Sequence, residues 1–486
     1  MLVFDLLPIN LRLPGVYTEF APGARGPLDI NQKLLLMGQM LATGTAAAAE
    51  PVLTTHPDQA SELFGEGSML ARMFATSYMN NSYTETWCLP LLDDAAGVAA
   101  AGALTLGGEV TKAGTLSVYL GGVRVRVAVA VGDTPAEIAT SLAAVINADT
   151  DLAVTASAAE AVVTITARHK GELGNQIDLR HSYYTGESLP GGLTLAITAM
   201  SGGDGNPEIT DALANIAGQK FDYFAMPFTD AANLATLRDD LEARWGWALQ
   251  YHGHGFTASR GTVGALQALG NSLNSQHLTL MGAAKSPSTP EAWTAAVAAV
   301  GAYYLNNDPA RPLQTLPLKN VLPPRVQDML TASERDLLLH DGVSTFYLSS
   351  DSQCLLEALI TCYQENAFGA PDTAYLYVNT PASLSYLAES LVAYLTSKFP
   401  RHKLADDGGP TPAAGMRIAT PSLVRAEVIE FLTKLYNQKG LVEHPKAYQD
   451  SIVAERDESD RSRVNILLPV RLIGQLRRTF IRVEHS

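Results

Sequence analysis

Charge is scarce in this sequence and cysteine is nearly missing. Charged residues make up 17% of 486 positions, and 34 basic against 49 acidic residues leave a net −15 at neutral pH. Coating nucleic acid demands a basic face, so direct nucleic-acid binding is excluded as the main role. Cys88, Cys354 and Cys362 are the only cysteines and form no CxxC pair. They are too few for a disulfide framework and read as buried, reduced thiols in a compartment such as a bacterial cytosol. No uninterrupted apolar run reaches the roughly 18 residues that span a bilayer, so no membrane insertion is expected. Met1–Asn10 has neither the basic start nor the apolar core of a secretory signal. Hydrolase signatures of the G-x-S-x-G and H-E-x-x-H kind are missing too. Gly202-Gly203-Asp204-Gly205-Asn206-Pro207 lacks the lysine of a phosphate loop and the closing glutamate of a calcium loop, and reads as an interdomain turn. His252-Gly253-His254 supplies two histidines around a glycine, which is a turn rather than a metal centre. No catalytic residue, metal ligand or cofactor emerges.

What the chain does contain is core. Hydrophobic residues at 47% and this length suit two or three ordered domains. Residues 1–30 are rich in proline and glycine, with one alternating stretch at Val16–Phe20, and read as an extended arm. Residues 31–94 begin an α/β layer with a buried strand at Lys33–Gly38, helices at Pro57–Phe64 and Ser68–Asn80, and a strand at Trp87–Pro90. Between 95 and 202 the composition turns to alanine, glycine, valine and threonine. There Val123, Val125, Val127, Val129 and Val131 alternate with Arg124, Arg126, Ala128 and Ala130, the period of a half-exposed hairpin. Thr134, Pro135 and Glu137 spell a capping box, and Leu152–Ser157 with Val162–Ala167 makes a second hairpin. This stretch is expected to be a β-rich domain inserted into the larger one. From 203 to 450, helices at Asp211–Gly218, Ala231–Arg244, Thr262–Asn271 and Glu291–Asn307 alternate with strands at Phe221–Met226, Ala248–Tyr251, His277–Met281 and Val343–Leu348. That order signals an α/β core. Residues 451–486 read as extended segments at Val453–Arg456, Val464–Leu468 and Thr479–Val483.

Two amphipathic helices close the core. One opens at Thr380-Pro381, with Leu384, Leu387, Ala388, Leu391, Val392 and Leu395 on one stripe, and stops at Pro400. The other opens at Thr420-Pro421, buries Val424, Val428, Phe431, Leu432 and Leu435, and ends at Gly440. The linker Lys398-Phe399-Pro400-Arg401-His402-Lys403-Leu404-Ala405-Asp406-Asp407-Gly408 and these helix openings resemble the tail sheath protein of Mu-like contractile-tailed phages. So do Leu13-Pro14-Gly15-Val16-Tyr17, Gly202–Pro207 and Asn465-Ile466-Leu467-Leu468-Pro469, so that the likeness runs nearly the whole length.

The resemblance implies an α/β (α+β) core sheath domain formed by N- and C-terminal parts of the chain, an outward-facing insert and extended terminal arms. It implies a structural, non-enzymatic subunit with no cofactor. Its partners would be itself in stacked hexameric rings, the tail tube protein, and baseplate and tail terminator proteins. The site would be strands donated to neighbours: Val16, Tyr17, Thr18 and Phe20 at one end, Thr479, Phe480, Ile481 and Val483 at the other. Arg425 and Lys434 are candidate tube-facing charges, and Arg477 and Arg478 candidate interface charges on a basic C-terminal arm. A different reading is a tail-associated α/β cell-wall hydrolase with a glycan-binding insert, prompted by the faint LysM-like opening Gly132-Asp133-Thr134.

Overall fold

The computed structural model describes residues 32–409 and 415–485. The expected arm of residues 1–30, with its strand at Val16–Phe20, lies outside the described residues. Residues 32–382 with 476–485 form one compact unit, and residues 383–409 with 415–475 form another.

The chain begins with β1 (Lys33–Gln39), β2 (Val52–Leu53), α1 (Pro57–Phe64), α2 (Met69–Asn80) and β3 (Glu85–Leu91). Then come β4 (Ala99–Lys112), β5 (Gly114–Leu120), β6 (Val123–Val129), α3 (Pro135–Ala148), β7 (Val154–Ala159), β8 (Val162–Lys170), β9 (Leu179–His181) and β10 (Gly191–Ser201). A third run holds α4 (Thr210–Asn215), β11 (Tyr223–Ala225), α5 (Ala231–Trp245), β12 (His254–Arg260), α6 (Val263–Asn271), β13 (Leu278–Ala284) and α7 (Pro290–Asn307). It continues through α8 (Ala332–His340), β14 (Val343–Leu348) and β15 (Cys354–Ala358). The C-terminal part carries α9 (Asn379–Lys398), β16 (Lys403–Leu404), β17 (Ile418–Ala419), α10 (Pro421–Lys439), β18 (Val453–Arg456) and β19 (Val464–Leu467).

Among the described residues the larger unit is built on an eight-stranded sheet ordered β15-β14-β13-β12-β11-β1-β3-β2. Its middle is parallel, from β14 through β13, β12, β11 and β1 to β3. Parallel strands reached by helical crossovers are covered on both faces, so they read as continuous apolar runs rather than alternating ones. Leu34, Leu35, Leu36 and Met37 are accordingly all inaccessible to solvent. Helix α7 lies across this sheet and is buried nearly all round, with alanines at 295, 296, 298, 299 and 302 that let it approach closely. Gly301 faces Phe256, where a Cβ would come within 3.0 Å of the ring.

Residues 99–201 fold about a hydrophobic core of their own. Sheets β10-β4-β8-β7 and β6-β5-β9 face each other with α3 between their edges. The β5–β6 hairpin turns at Gly121-Gly122, both at positive φ, as a two-residue turn requires. A side chain there would also strike the start of α7: a Cβ on Gly121 would lie 2.8 Å from Thr289 Cγ2, and one on Gly122 2.9 Å from Ser288 Oγ. Val125, Val127 and Val129 point inward as the alternation demands, whereas Val123 and Val131, at the ends, are exposed. Thr134 and Glu137 form the expected capping box, so the Gly132-Asp133-Thr134 stretch is a helix start.

This inserted domain leaves and rejoins the larger sheet at one point. Val98 N–H donates to Asp204 O at 2.8 Å and Asp204 N–H to Val98 O at 3.1 Å. Arginines cement the joint. Arg260, at the end of β12, donates to Ser286 O at 2.5 Å, to Gln176 O, and to Asp178 Oδ1 at 2.8 Å. Arg325 donates to His181 O and Ser182 O at 2.8 and 3.0 Å, and Tyr183 Oη–H to Pro323 O at 2.6 Å. On the far side, His169 Nε2 accepts from the Met69 N–H at 3.0 Å while Nδ1 meets Asp93 at 2.9 Å.

Two expectations are corrected by the sheet. The strand expected at Ala248–Tyr251 is a loop, and the strand runs over His254–Arg260 instead. His252-Gly253-His254, expected to turn, is therefore the approach to a central strand. Glycine is needed there for packing: a Cβ on Gly253 would sit 2.9 Å from Phe224 and Leu241, and one on Gly255 2.8 Å from Leu278. Among the described residues no group of three or more histidine, cysteine, aspartate or glutamate side chains is placed to hold a metal ion.

Candidate assembly site

The smaller unit is organised by α10. Thr420 caps it by accepting from the Leu423 N–H, Pro421 occupies its first turn, and Gly440 closes it in the left-handed conformation. Val424, Val428, Phe431, Leu432 and Leu435 are buried, as their spacing requires. Helix α9 turns inward a face that shares only Leu387 with the expected stripe. Tyr386, Leu387, Ser390 and Tyr394 are buried, while Val392, placed on the apolar stripe by periodicity, is 52% exposed. Aromatic rings bring more apolar area than valine, and a tyrosine can be buried when its hydroxyl finds a partner. Tyr394 packs on Phe431 at 5.1 Å between centroids and donates its hydroxyl to Glu427 at 2.7 Å. Burial and that carboxylate push the Tyr394 phenol far above its usual range.

Of the charges expected to face a tube, Arg425 works inside the unit. Its guanidinium donates to Ile452 O at 2.6 Å and to Gln449 O at 2.7 Å, bracing the chain that leads into β18. Lys434 pairs with Glu430 one turn away at 2.7 Å and sits 5.5 Å from the Tyr394 ring.

Strands β18 and β19 pair antiparallel, Val453 opposite Leu467 through Arg456 opposite Val464. Their connection is held by Asp457. Its carboxylate accepts from the Ser459 hydroxyl at 2.5 Å, the Asn465 amide at 2.9 Å and the Ser459 and Asp460 N–H groups at 2.9 Å, and it pairs with Arg463. These bonds, the Ser459 hydroxyl first, hold the carboxyl well below the ordinary aspartate range. Among the described residues this ribbon has two strands only. A two-stranded ribbon is marginal alone, and each outer edge presents N–H and C=O groups to which another strand can add.

The last residues carry no strand in this chain. Thr479–Val483, expected to be an extended segment donated to a neighbouring copy, has no ladder partner among the described residues. Phe480 is 91% exposed, with Ile481 and Val483 nearly as open. Arg477 and Arg478 are not free rim charges. Arg477 stacks on Tyr377 with its guanidinium carbon 3.7 Å from the ring centroid and donates to Asn379 Oδ1 at 2.7 Å. Arg478 donates to the Tyr377 hydroxyl at 3.4 Å. Sequence reasoning missed this seat, because nothing local ties Tyr377 to a residue a hundred positions away. Val16, Tyr17, Thr18 and Phe20 lie outside the described residues.

An α/β body with an inserted β-sandwich is the architecture that comparison with known proteins places in one class. Three family models match in succession: the phage tail sheath protein beta-sandwich domain over residues 95–194, the phage tail sheath protein central domain over 202–362, and the phage tail sheath C-terminal domain over 370–486. The chain belongs to the phage tail sheath protein family. Within it, the sequence is 41% identical over 479 residues to the Mu-like prophage FluMu tail sheath protein of Haemophilus influenzae, covering 98% of this chain and 97% of that one. The described fold is shared with the sheath tail protein of Desulfitobacterium hafniense at a TM-score of 0.50 and 15% identity, over 96% of this chain and 99% of that one. This is thus a tail sheath protein of the Mu-like kind, a component of a phage or phage-like particle.

Proposed function

We propose that this subunit polymerises as stacked hexameric rings around a tail tube and contracts to drive that tube through the host envelope. The observation that carries the reading is the exposed apolar tail at Thr479–Val483, which has no ladder partner among the described residues. Strands donated by Thr479, Phe480, Ile481 and Val483, and by Val16, Tyr17, Thr18 and Phe20, would complete the ribbons of neighbouring copies. Main-chain hydrogen bonds would supply strength, and the alternation of side chains would set register. A head-to-tail contact of this kind does not close, so it propagates as a helix. Assembled on the tube and between baseplate and terminator proteins, the sheath would be held in a long-lived extended state. Contraction then rotates rigid bodies while the shared strands act as hinges.

The work is stored at assembly, so the reading needs no catalysis. The three cysteines are free and buried, with thiols that burial pushes up to about 12, so none is a thiolate nucleophile at neutral pH. Free thiols also suit assembly in a bacterial host cytoplasm. A tube contact is proposed for Lys434 rather than Arg425, whose donors are taken up by Gln449 and Ile452. Lys434→Glu with unaltered tube-templated assembly would remove that assignment.

Negative-stain electron microscopy of the protein expressed alone tests the whole: rings or tubes are expected, and a persistent monomer at high concentration would sink it. Deleting Met1–Phe20 tests the N-terminal strand, since unchanged rings and tubes would rule out its donation.

A further inference from the structure

The seat of Arg477 is built from parts that are themselves fixed. Asn379, which accepts from Arg477, donates its own amide to Pro309 O at 2.8 Å and to Arg311 O at 2.7 Å. Tyr377 is held from its face by Arg477 and from its hydroxyl by Arg478. Burial lowers the Arg477 guanidinium to about 10, so it stays charged at neutral pH and keeps its attraction for the ring. Just beyond this point burial ends: every residue from Thr479 to His485 is exposed. A pinned residue directly before an unpaired apolar segment is the geometry of a moored rope end.

We propose that Arg477 anchors the C-terminal arm to its own subunit, fixing where the donated strand departs and so the register in which it meets the neighbouring copy. The inference rests on the strand-donation reading above. The five residues Thr479–Val483 reach at most about 17 Å past the mooring when extended. Released at Gln475, the arm gains three more residues, about 10 Å of slack. The slack must be given up again each time a strand docks, as conformational entropy. Arginine suits the task better than lysine because a planar guanidinium can stack on a ring and donate sideways at once.

The test is polymerisation of the full chain, followed by light scattering and electron microscopy. Arg477→Ala is expected to raise the critical concentration about five- to thirtyfold, the scale on which one stacked, charged contact acts. The melting curve of the dispersed subunit should stay put for Arg477→Ala, because what it releases is an exposed chain end. Arg477→Lys, which retains charge and stem, should restore only a minor part. Tyr377→Ala should mimic Arg477→Ala, and the double variant should add little, since both remove one contact. Assembly of Arg477→Ala at or below the wild-type concentration, while deletion of Thr479–Ser486 abolishes assembly, would overturn the anchor and leave strand donation standing. Normal assembly of the deletion itself would overturn both.

Discussion

His254 makes the stability of the larger unit sensitive to acid in a calculable way. It lies on β12 in the middle of the parallel sheet, with Nε2 2.7 Å from the Thr279 hydroxyl. That hydroxyl donates onward to Ile360 O at 2.9 Å, so the imidazole must be the donor and carry its proton on Nε2. Nδ1 is buried and has no acceptor within reach. A second proton would have to be placed there, in an apolar setting 5.0 Å from the Phe256 ring and near His277. Burial, with the neighbouring His277 second, lowers the His254 pKa to about 3. The unfolded chain takes up its proton near pH 6.5, so between these values the unfolded state binds more protons and stability falls as pH falls. At pH 5 the loss from this one residue is about 2 kcal/mol relative to pH 8, and it grows by about 1.4 kcal/mol per further unit down to pH 3. Denaturant titration of the dispersed subunit at pH 8, 6.5 and 5 measures the total, to which carboxylates also contribute. The difference between wild type and His254→Gln isolates the imidazole. His254→Gln should be less stable at pH 8 yet have a shallower decline, the gap narrowing by about 2 kcal/mol at pH 5. A parallel decline in both proteins would refute the neutral buried histidine.

Two other perturbations probe the joint and the ribbon. Arg260→Ala leaves Gln176 O and Ser286 O without their donor and one bond to Asp178 broken, which should cost about 3–5 kcal/mol, seen as an early transition in calorimetry. A change under about 0.5 kcal/mol, the range of ordinary surface substitutions, would show the joint is held elsewhere. Asp457→Asn should speed amide exchange across Val453–Arg456 and Val464–Leu467 without moving the exchange of α10, because it loosens the turn and leaves the helix caps alone. Equal protection in both proteins would mean that strand pairing, not the turn, holds the ribbon.

Local chemistry was the legible part of this fold. The Thr134–Glu137 capping box, the valine alternation of β6 and the stripe of α10 rest on spacing within a few residues, and each appears as the spacing requires. Strand β4 escaped notice because AAAGALTLGGEV has few of the β-branched and aromatic residues that favour strands. It stands because Ala100, Leu104, Leu106 and Val110 fill the sandwich while glycines allow neighbouring backbone to approach. Helix α8 did leave a signal, a capping box at Thr331 and Glu334, hidden behind a proline-rich stretch. The misplacement of β12 has another cause: a strand buried on both faces shows no alternation, so its ends are visible only through the neighbours it packs against. The same holds for the candidate site. Open edges could be suspected from extended segments at the chain end, but the mooring of Arg477 on Tyr377 depends on a meeting of distant residues that no spacing reveals.

The bridge between Val98 and Asp204 has a consequence for how such a chain changes over time. The path departs and returns through one pair of reciprocal hydrogen bonds, and the body grips the insert through the contacts of Arg260, Arg325, Tyr183 and His169. Lengthening the chain beyond that bridge adds only about 0.6 kcal/mol of loop-closure entropy for each doubling. The outer domain is thus a compartment that can grow on the side away from those contacts while the strands of the parallel sheet keep their order.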